Sequence, residues 1–234
     1  MGKPLFGAEK RDLFGWSVAL SRDGYRVAAS SLGSSDKPGN VRTFDYDEES
    51  GDWEEANSTL VGESTQELFG ISVKLSDDGS ILTVGAPGYS GNGTEALSVG
   101  IVRSYQYDED QEEWSPYGQP LEGANAFDVF GSSIALNSAG DIVAIGGPEN
   151  DSFCDNCGHI QVFENKEGMW ENSGSAVGQS GLDGGQFGYS VALSGTGSRL
   201  VGAAPFTIQN GFVSKVGQAI VFDSIINATE DTPL

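Results

Sequence analysis

Two cysteines, Cys154 and Cys157, bracket Asp155-Asn156 and are the only thiols in the chain. Several chemistries use this spacing. A disulfide closing a tight loop suits an oxidising compartment. A redox-active pair needs a helix N-terminus to hold the thiolate, and nothing around it reads as a helix. A zinc site recruits His159 as a third ligand and still lacks a fourth. Haem attachment requires His directly after the second cysteine, where Gly158 stands. Two free thiols are the remaining reading. His159 is the sole histidine, so a Ser-His-Asp triad would have to form there; a partly exposed loop position is the plainer reading. With 34 acidic residues, carboxylate pairs are everywhere and none singles itself out as a glycosidase pair. There is no phosphate-binding loop or dinucleotide fingerprint, because the glycines follow strand ends and do not open helices. The expectation is a chain without catalysis, cofactor or resident metal.

Asn57, Asn92, Asn150 and Asn227 each begin an Asn-x-Ser/Thr sequon. Glycosylation there and a disulfide between Cys154 and Cys157 would share one cause, secretion, so the expected location is extracellular or at the cell surface. The 12 basic against 34 acidic residues leave a net charge of −22. That disfavours nucleic acid, which is bound through phosphate neutralisation, and adhesion to anionic membranes. No apolar run approaches the roughly 18 residues a membrane-spanning helix needs. Met1-Gly2-Lys3-Pro4 leads straight into repeat sequence, so no signal peptide is expected within this stretch and a fragment of a longer protein is the expectation. The acidic stretches 45–49 and 108–110 read as solvated charge.

The elements that carry these residues are set by a repeat. Phe14-Gly15-Trp16-Ser17-Val18 returns as Phe69-Gly70-Ile71-Ser72-Val73, Phe130-Gly131-Ser132-Ser133-Ile134 and Phe187-Gly188-Tyr189-Ser190-Val191. The starts, at 14, 69, 130 and 187, are 55, 61 and 57 residues apart. A Leu follows each Phe by six residues and a Gly by ten. Such a period marks units that bury their apolar faces only against neighbours. Each unit reads as four short strands. The first follows Phe-Gly, and a turn ending in Gly24, Gly79, Gly140 or Gly197 leads to the second. The second ends in Gly85-Ala86-Pro87, Gly146-Gly147-Pro148 and Ala203-Ala204-Pro205, with Ser30-Ser31-Leu32 departing from the pattern. After a variable loop, Gly39, Gly100, Gly158 and Gly217 open the third, and Trp53, Trp114 and Trp170 the fourth. The fixed phase of Phe and Trp says core.

The pattern predicts an all-β, β-propeller-like array of four four-stranded blades. The units are about 14–68, 69–129, 130–186 and 187–223. Residues 1–13 are the end of a preceding or closing blade, and 224–234 are a polar tail. Leu5-Phe6-Gly7 aligns with Leu60-Val61-Gly62, so residues 1–7 either supply the missing strand of the last blade or belong to a larger propeller. The second is favoured, since only a stub of strand is there to close a ring.

Phe-Gly-x-Ser-Val, then Leu82-Thr83-Val84-Gly85-Ala86-Pro87, then Gly-x-Val-x-x-Tyr, resembles the FG-GAP repeat of integrin alpha-chain propellers over residues 5–222. The resemblance implies an extracellular or envelope protein that binds other proteins or glycans through loops on one face. Calcium-binding repeats of that family carry an Asp/Asn-rich cage between the first two strands. Here that place holds short turns such as Ser76-Asp77-Asp78-Gly79, too poor in oxygen ligands, and calcium is not carried over. The expectation is a non-catalytic module that recognises protein or carbohydrate through loops 31–38, 88–99, 149–157 and 206–216. The alternatives are a propeller glycosidase or lyase, or a structural segment adjoining further repeats of a parent protein.

Overall fold

The computed structural model describes residues 2–33, 37–56, 58–91, 97–152, 154–177, 184–208 and 215–223. Asn57, Asn92, Asn227 and residues 224–234 lie outside them. The described chain forms four antiparallel sheets in sequence order. The first holds β1 (Val18–Leu20), β2 (Arg26–Ser31), β3 (Asn40–Asp47), β4 (Asp52–Glu55) and β5 (Leu60–Val61). The second holds β6 (Ser72–Leu75), β7 (Ile81–Ala86), β8 (Ile101–Asp108), β9 (Glu113–Pro116) and β10 (Leu121–Glu122). The third holds β11 (Ser133–Leu136), β12 (Ile142–Gly147), β13 (His159–Lys166) and β14 (Met169–Val177). The fourth holds β15 (Ser190–Leu193), β16 (Arg199–Ala204) and β17 (Gln218–Asp223). In the first two sheets the fourth strand is broken in two, both pieces pairing with the third strand. In the third it runs unbroken past a bulge at Val162/Phe163. The last sheet has three strands among the described residues, against the four expected.

Successive sheets share their cores. Ala28 and Val41 pack with Val73, Leu82 and Val84 between the first two sheets. Val102 meets Ile134, Val143 and Ile145 between the second and third. Ala144, Ile160 and Val162 meet Phe187 and Leu200 between the third and fourth. Phe69, Phe130 and Phe187 are wholly buried at matching places in these three interfaces, each worth roughly 2–3 kcal/mol of apolar burial. Phe14, which has no preceding sheet, is half-buried and meets Phe44 edge-on at 6.2 Å. The repeat frame thus maps onto structure unit by unit.

Backbone approach explains one retained glycine. A Cβ on Gly100 (φ +86°) would strike the backbone of Phe130, with which it forms a parallel bridge. Gly158 stands in the same relation to Phe187.

The end segments differ from the ring-closing expectation. Residues 2–7 lie on the first sheet: Gly2 packs on Trp53, Lys3 bonds Asp52, and Arg42 donates to the Phe6 carbonyl at 2.9 Å. Among the described residues, β17 has β16 as its one strand neighbour, and residues 2–7 do not complete its sheet.

Candidate functional site

Each unit enters its first strand through the same corner. The residue before Phe is left-handed in all four copies: Leu13 (φ 56°), Leu68 (57°), Val129 (48°) and Gln186 (56°). For the β-branched Val129 this is a costly conformation, held by its surroundings. Two hydrogen bonds fix the corner. The glycine N–H donates to the end of the second strand, from Gly15 to Ser30, Gly70 to Gly85, Gly131 to Gly146 and Gly188 to Ala203, at 2.8–3.1 Å. The next N–H closes the turn, from Trp16 to Leu13, Ile71 to Leu68, Ser132 to Val129 and Tyr189 to Gln186, at 3.1–3.2 Å.

The corner brings the four residues that follow Phe-Gly into one place. Trp16, Ile71, Ser132 and Tyr189 all line a single cleft of about 480 Å³. Leu68, Val129 and Gln186 lie between them, and Pro87, Gly88, Ser98, Pro148 and Glu149 complete the wall from the loops after the second strands. Trp16 and Tyr189 are each 54 % exposed. Tyr189 is braced edge-on by Phe206 at 5.7 Å, and Lys215 stands over the Phe206 ring at 4.5 Å. Among the described residues, Glu149 is the one charged residue in this lining. The arrangement is concave, with rigid aromatic faces and a few hydroxyl, amide and carboxylate groups, which is the make-up of a recognition site. A second cleft of about 400 Å³ borders the first sheet; four of its charged residues are engaged in the pairs Lys37–Glu9 and Arg42–Glu55, and Lys10 and Asp12 also line it.

Of the four loops expected to make contact, 88–99 and 149–157 reach the cleft, at Gly88, Ser98 and Glu149; no described residue of 31–38 or 206–216 lines it, and Gly33, Lys37 and Pro38 border the second cleft instead. Missed in the sequence was the slot itself. The position after Phe-Gly varies from Trp to Ile, Ser and Tyr, and the signal was that one variable residue sits inside an otherwise fixed frame.

Other predicted positions fall elsewhere. The Cys154 and Cys157 sulfurs are placed together, with Cα atoms 5.3 Å apart, inside the usual disulfide range. Asn150 corrects the glycosylation expectation: it is 3 % exposed, and its amide donates to Asp128 at 2.8 Å, so a glycan has no room there. His159 corrects the exposed-loop expectation, since it opens β13 with 6 % exposure. Its Nε2 is buried with no hydrogen-bond partner, and burial lowers its pKa while the nearby Asp128 carboxylate opposes the drop. No cluster of three metal-ligating residues occurs among the described residues.

The acidic stretches are also more than solvated charge. Asp45 holds the buried Arg26 through both carboxylate oxygens, at 2.6 and 3.0 Å. Glu109 reaches the same guanidinium at 3.3 Å from the next sheet, whose Tyr107 ring lies 3.8 Å below it.

No family model matches the chain, and no curated protein is similar to it in sequence. Its likeness is to solved folds. A candidate 6-phosphogluconolactonase from Bacteroides uniformis superimposes with a TM-score of 0.56 at 14 % identity, covering 89 % of this chain and 55 % of that one. Sqt1 from Saccharomyces cerevisiae follows at 0.48 and 13 %, covering 83 % and 43 %. The chain therefore spans about half the length of these structures. The fold is all-β and propeller-like.

Proposed function

We propose that this chain is a non-catalytic binding module that recognises protein or glycan through the cleft at the entry corners. The observation that carries this is the convergence of Trp16, Ile71, Ser132 and Tyr189, one from each unit, on a single concavity. Half-exposed Trp and Tyr offer large flat contact area at little rotamer cost, and the surrounding polar groups fix orientation. Among the described residues the lining holds no Lys or Arg to pair with a phosphate or sulfate, so an uncharged or cationic ligand fits them better.

The FG-GAP-like motif, the placement of the cysteine pair and the remaining sequons support action outside the cell. The reading is tested by screening the purified chain on glycan and peptide arrays, then repeating the strongest hit with Trp16→Ala/Tyr189→Ala. Loss of binding by tenfold or more with unchanged circular dichroism supports the site. Binding that survives both this double variant and Gly/Ser replacement of the four loops removes it.

A further inference from the structure

One interface recurs three times in this chain, and among the described residues the first and last sheets each carry one uncovered half of it. The turns between first and second strands are linked by backbone bonds that all run one way: Arg22 N–H to Asp77, Asp77 N–H to Ser138, and Ser138 N–H to Gly195, at 2.8–2.9 Å. In two of the three interfaces hydroxyls follow the same direction, Ser72 to the Gly131 carbonyl at 2.7 Å and Ser133 to the Gly188 carbonyl at 2.6 Å, while in the first Ser17 Oγ accepts from the Val73 N–H at 3.1 Å. At the ends, Gly195 and Ser190 hold the donor positions, and Arg22 and Gly15 the acceptor positions.

The side chains repeat this split. In the first sheet the Arg26–Asp45 fork is capped by Tyr107, Trp114 and Glu109 of the second. The last sheet has the same fork in Arg199–Asp223, at 2.6 Å, with both side chains 69 % exposed. The first sheet has the cap in Tyr46 and Trp53, 5.3 Å apart, with Glu48 at the place of Glu109. On β17, Val221 is 62 % exposed, whereas the equivalent Thr43, Ser104 and Val162 are 1–5 % exposed under the next sheet. On β1, Val18 is 62 % exposed, whereas Val73 and Ile134 are 1–2 % exposed against the preceding one. Residues 2–7 already sit on the first sheet as a preceding fourth strand would, with Gly2 on Trp53 as Gly118 lies on Trp170.

We propose that the chain associates with a second copy of itself head to tail. The first sheet of one copy covers the last sheet of another. Leu5 and Phe6 of the first then add as a strand beside Ala219 and Gln218 of the second, in the register Leu121 and Glu122 keep with Val102 and Ile101. The two surfaces fit because they are the halves of one repeated contact, an interface of the heterologous type, and strand addition satisfies the open β17 edge. Two copies bring eight sheets, within the size range of closed propellers.

Sedimentation velocity from about 1 to 100 µM, the range in which a micromolar association shows, reads the mass. Twice 24.5 kDa or a higher multiple is expected at the top concentration, and a monomer throughout overturns the proposal. Val18→Asp and Val221→Asp each block one end at an exposed site. Each alone is expected to be monomeric with unchanged circular dichroism, and a 1:1 mixture to recover twice the monomer mass, since one intact head meets one intact tail. Either variant associating alone, or a mixture that stays monomeric, overturns the proposal. Amide exchange at Ala219, whose N–H faces away from β16, slows with concentration if the strand is added; unchanged exchange in the assembled state overturns that part.

Discussion

Burial of His159 makes a small proton-linked term in stability. Its pKa lies below the ordinary 6.5 because the imidazole is desolvated beside Asp128. Below about pH 6.5 the unfolded chain then binds more protons than the folded one, so folding weakens as pH falls through the interval between the two values. Urea midpoints at pH 7.5 and 5.5 should show this loss, and His159→Gln should reduce it. A second residue-scale expectation concerns Arg103, which is buried and pairs with the fully buried Glu67 at 3.4 Å and with Glu63 at 3.1 Å. Arg103→Leu strands the Glu67 carboxylate, at a cost of about 3–5 kcal/mol in the urea midpoint. These residues were not legible in the sequence. Position 159 reads as a loop because Gly158 precedes it, and Arg103 finds Glu67 only once a later strand folds back beside the corner that precedes it.

The elements were far more legible, because each is announced by a residue type that only one backbone geometry accepts. Gly100 is the clearest case. Gly100→Ala puts a methyl group into the Phe130 backbone at a left-handed φ, and should cost about 3 kcal/mol or more, the strain alone being about 1–3. Gly217 keeps the same left-handed φ of +72°, yet its nearest neighbour atom is the Pro205 carbonyl at 3.2 Å. Gly217→Ala should cost about 1–2 kcal/mol in dilute solution, from the dihedral alone. Thermal melts of the two variants check the difference. Strand order followed directly from this punctuation. The split of the fourth strand into β4 and β5, and β9 and β10, did not: Pro116, Gly118 and Pro120 crowd the break at Tyr117, but no Gly or Pro stands at Ala56, so the repeat shows no common signal for it. Nor did the cleft, whose four contributors stand more than fifty residues apart and meet only when the sheets are fanned around a common centre.

On the scale of the whole molecule, charge and exposure govern behaviour. A net charge of −22 over 234 residues repels itself, and salt screens that repulsion over a Debye length of about 10 Å at 0.1 M. The melting temperature should therefore rise between low salt and about 150 mM NaCl, against the usual weakening of surface ion pairs such as Arg22–Asp77; calorimetry at the two ionic strengths decides the sign. The ends were half legible: alignment of Leu5-Phe6-Gly7 with Leu60-Val61-Gly62 marked residues 2–7 as strand-like, but which sheet they lie on depends on the Trp53 and Asp52 side chains.

The left-handed corner before each Phe has a bearing on how such molecules diversify. Its two recurring hydrogen bonds join backbone to backbone; Ser132 adds a hydroxyl bond to the Val129 carbonyl at 2.6 Å, but Trp16, Ile71 and Tyr189 keep the same joint with other side chains, so the residue that follows Phe-Gly can be exchanged. A duplicated or transplanted unit would arrive with its own side chain already pointed into the cleft, and new linings would come by shuffling whole units.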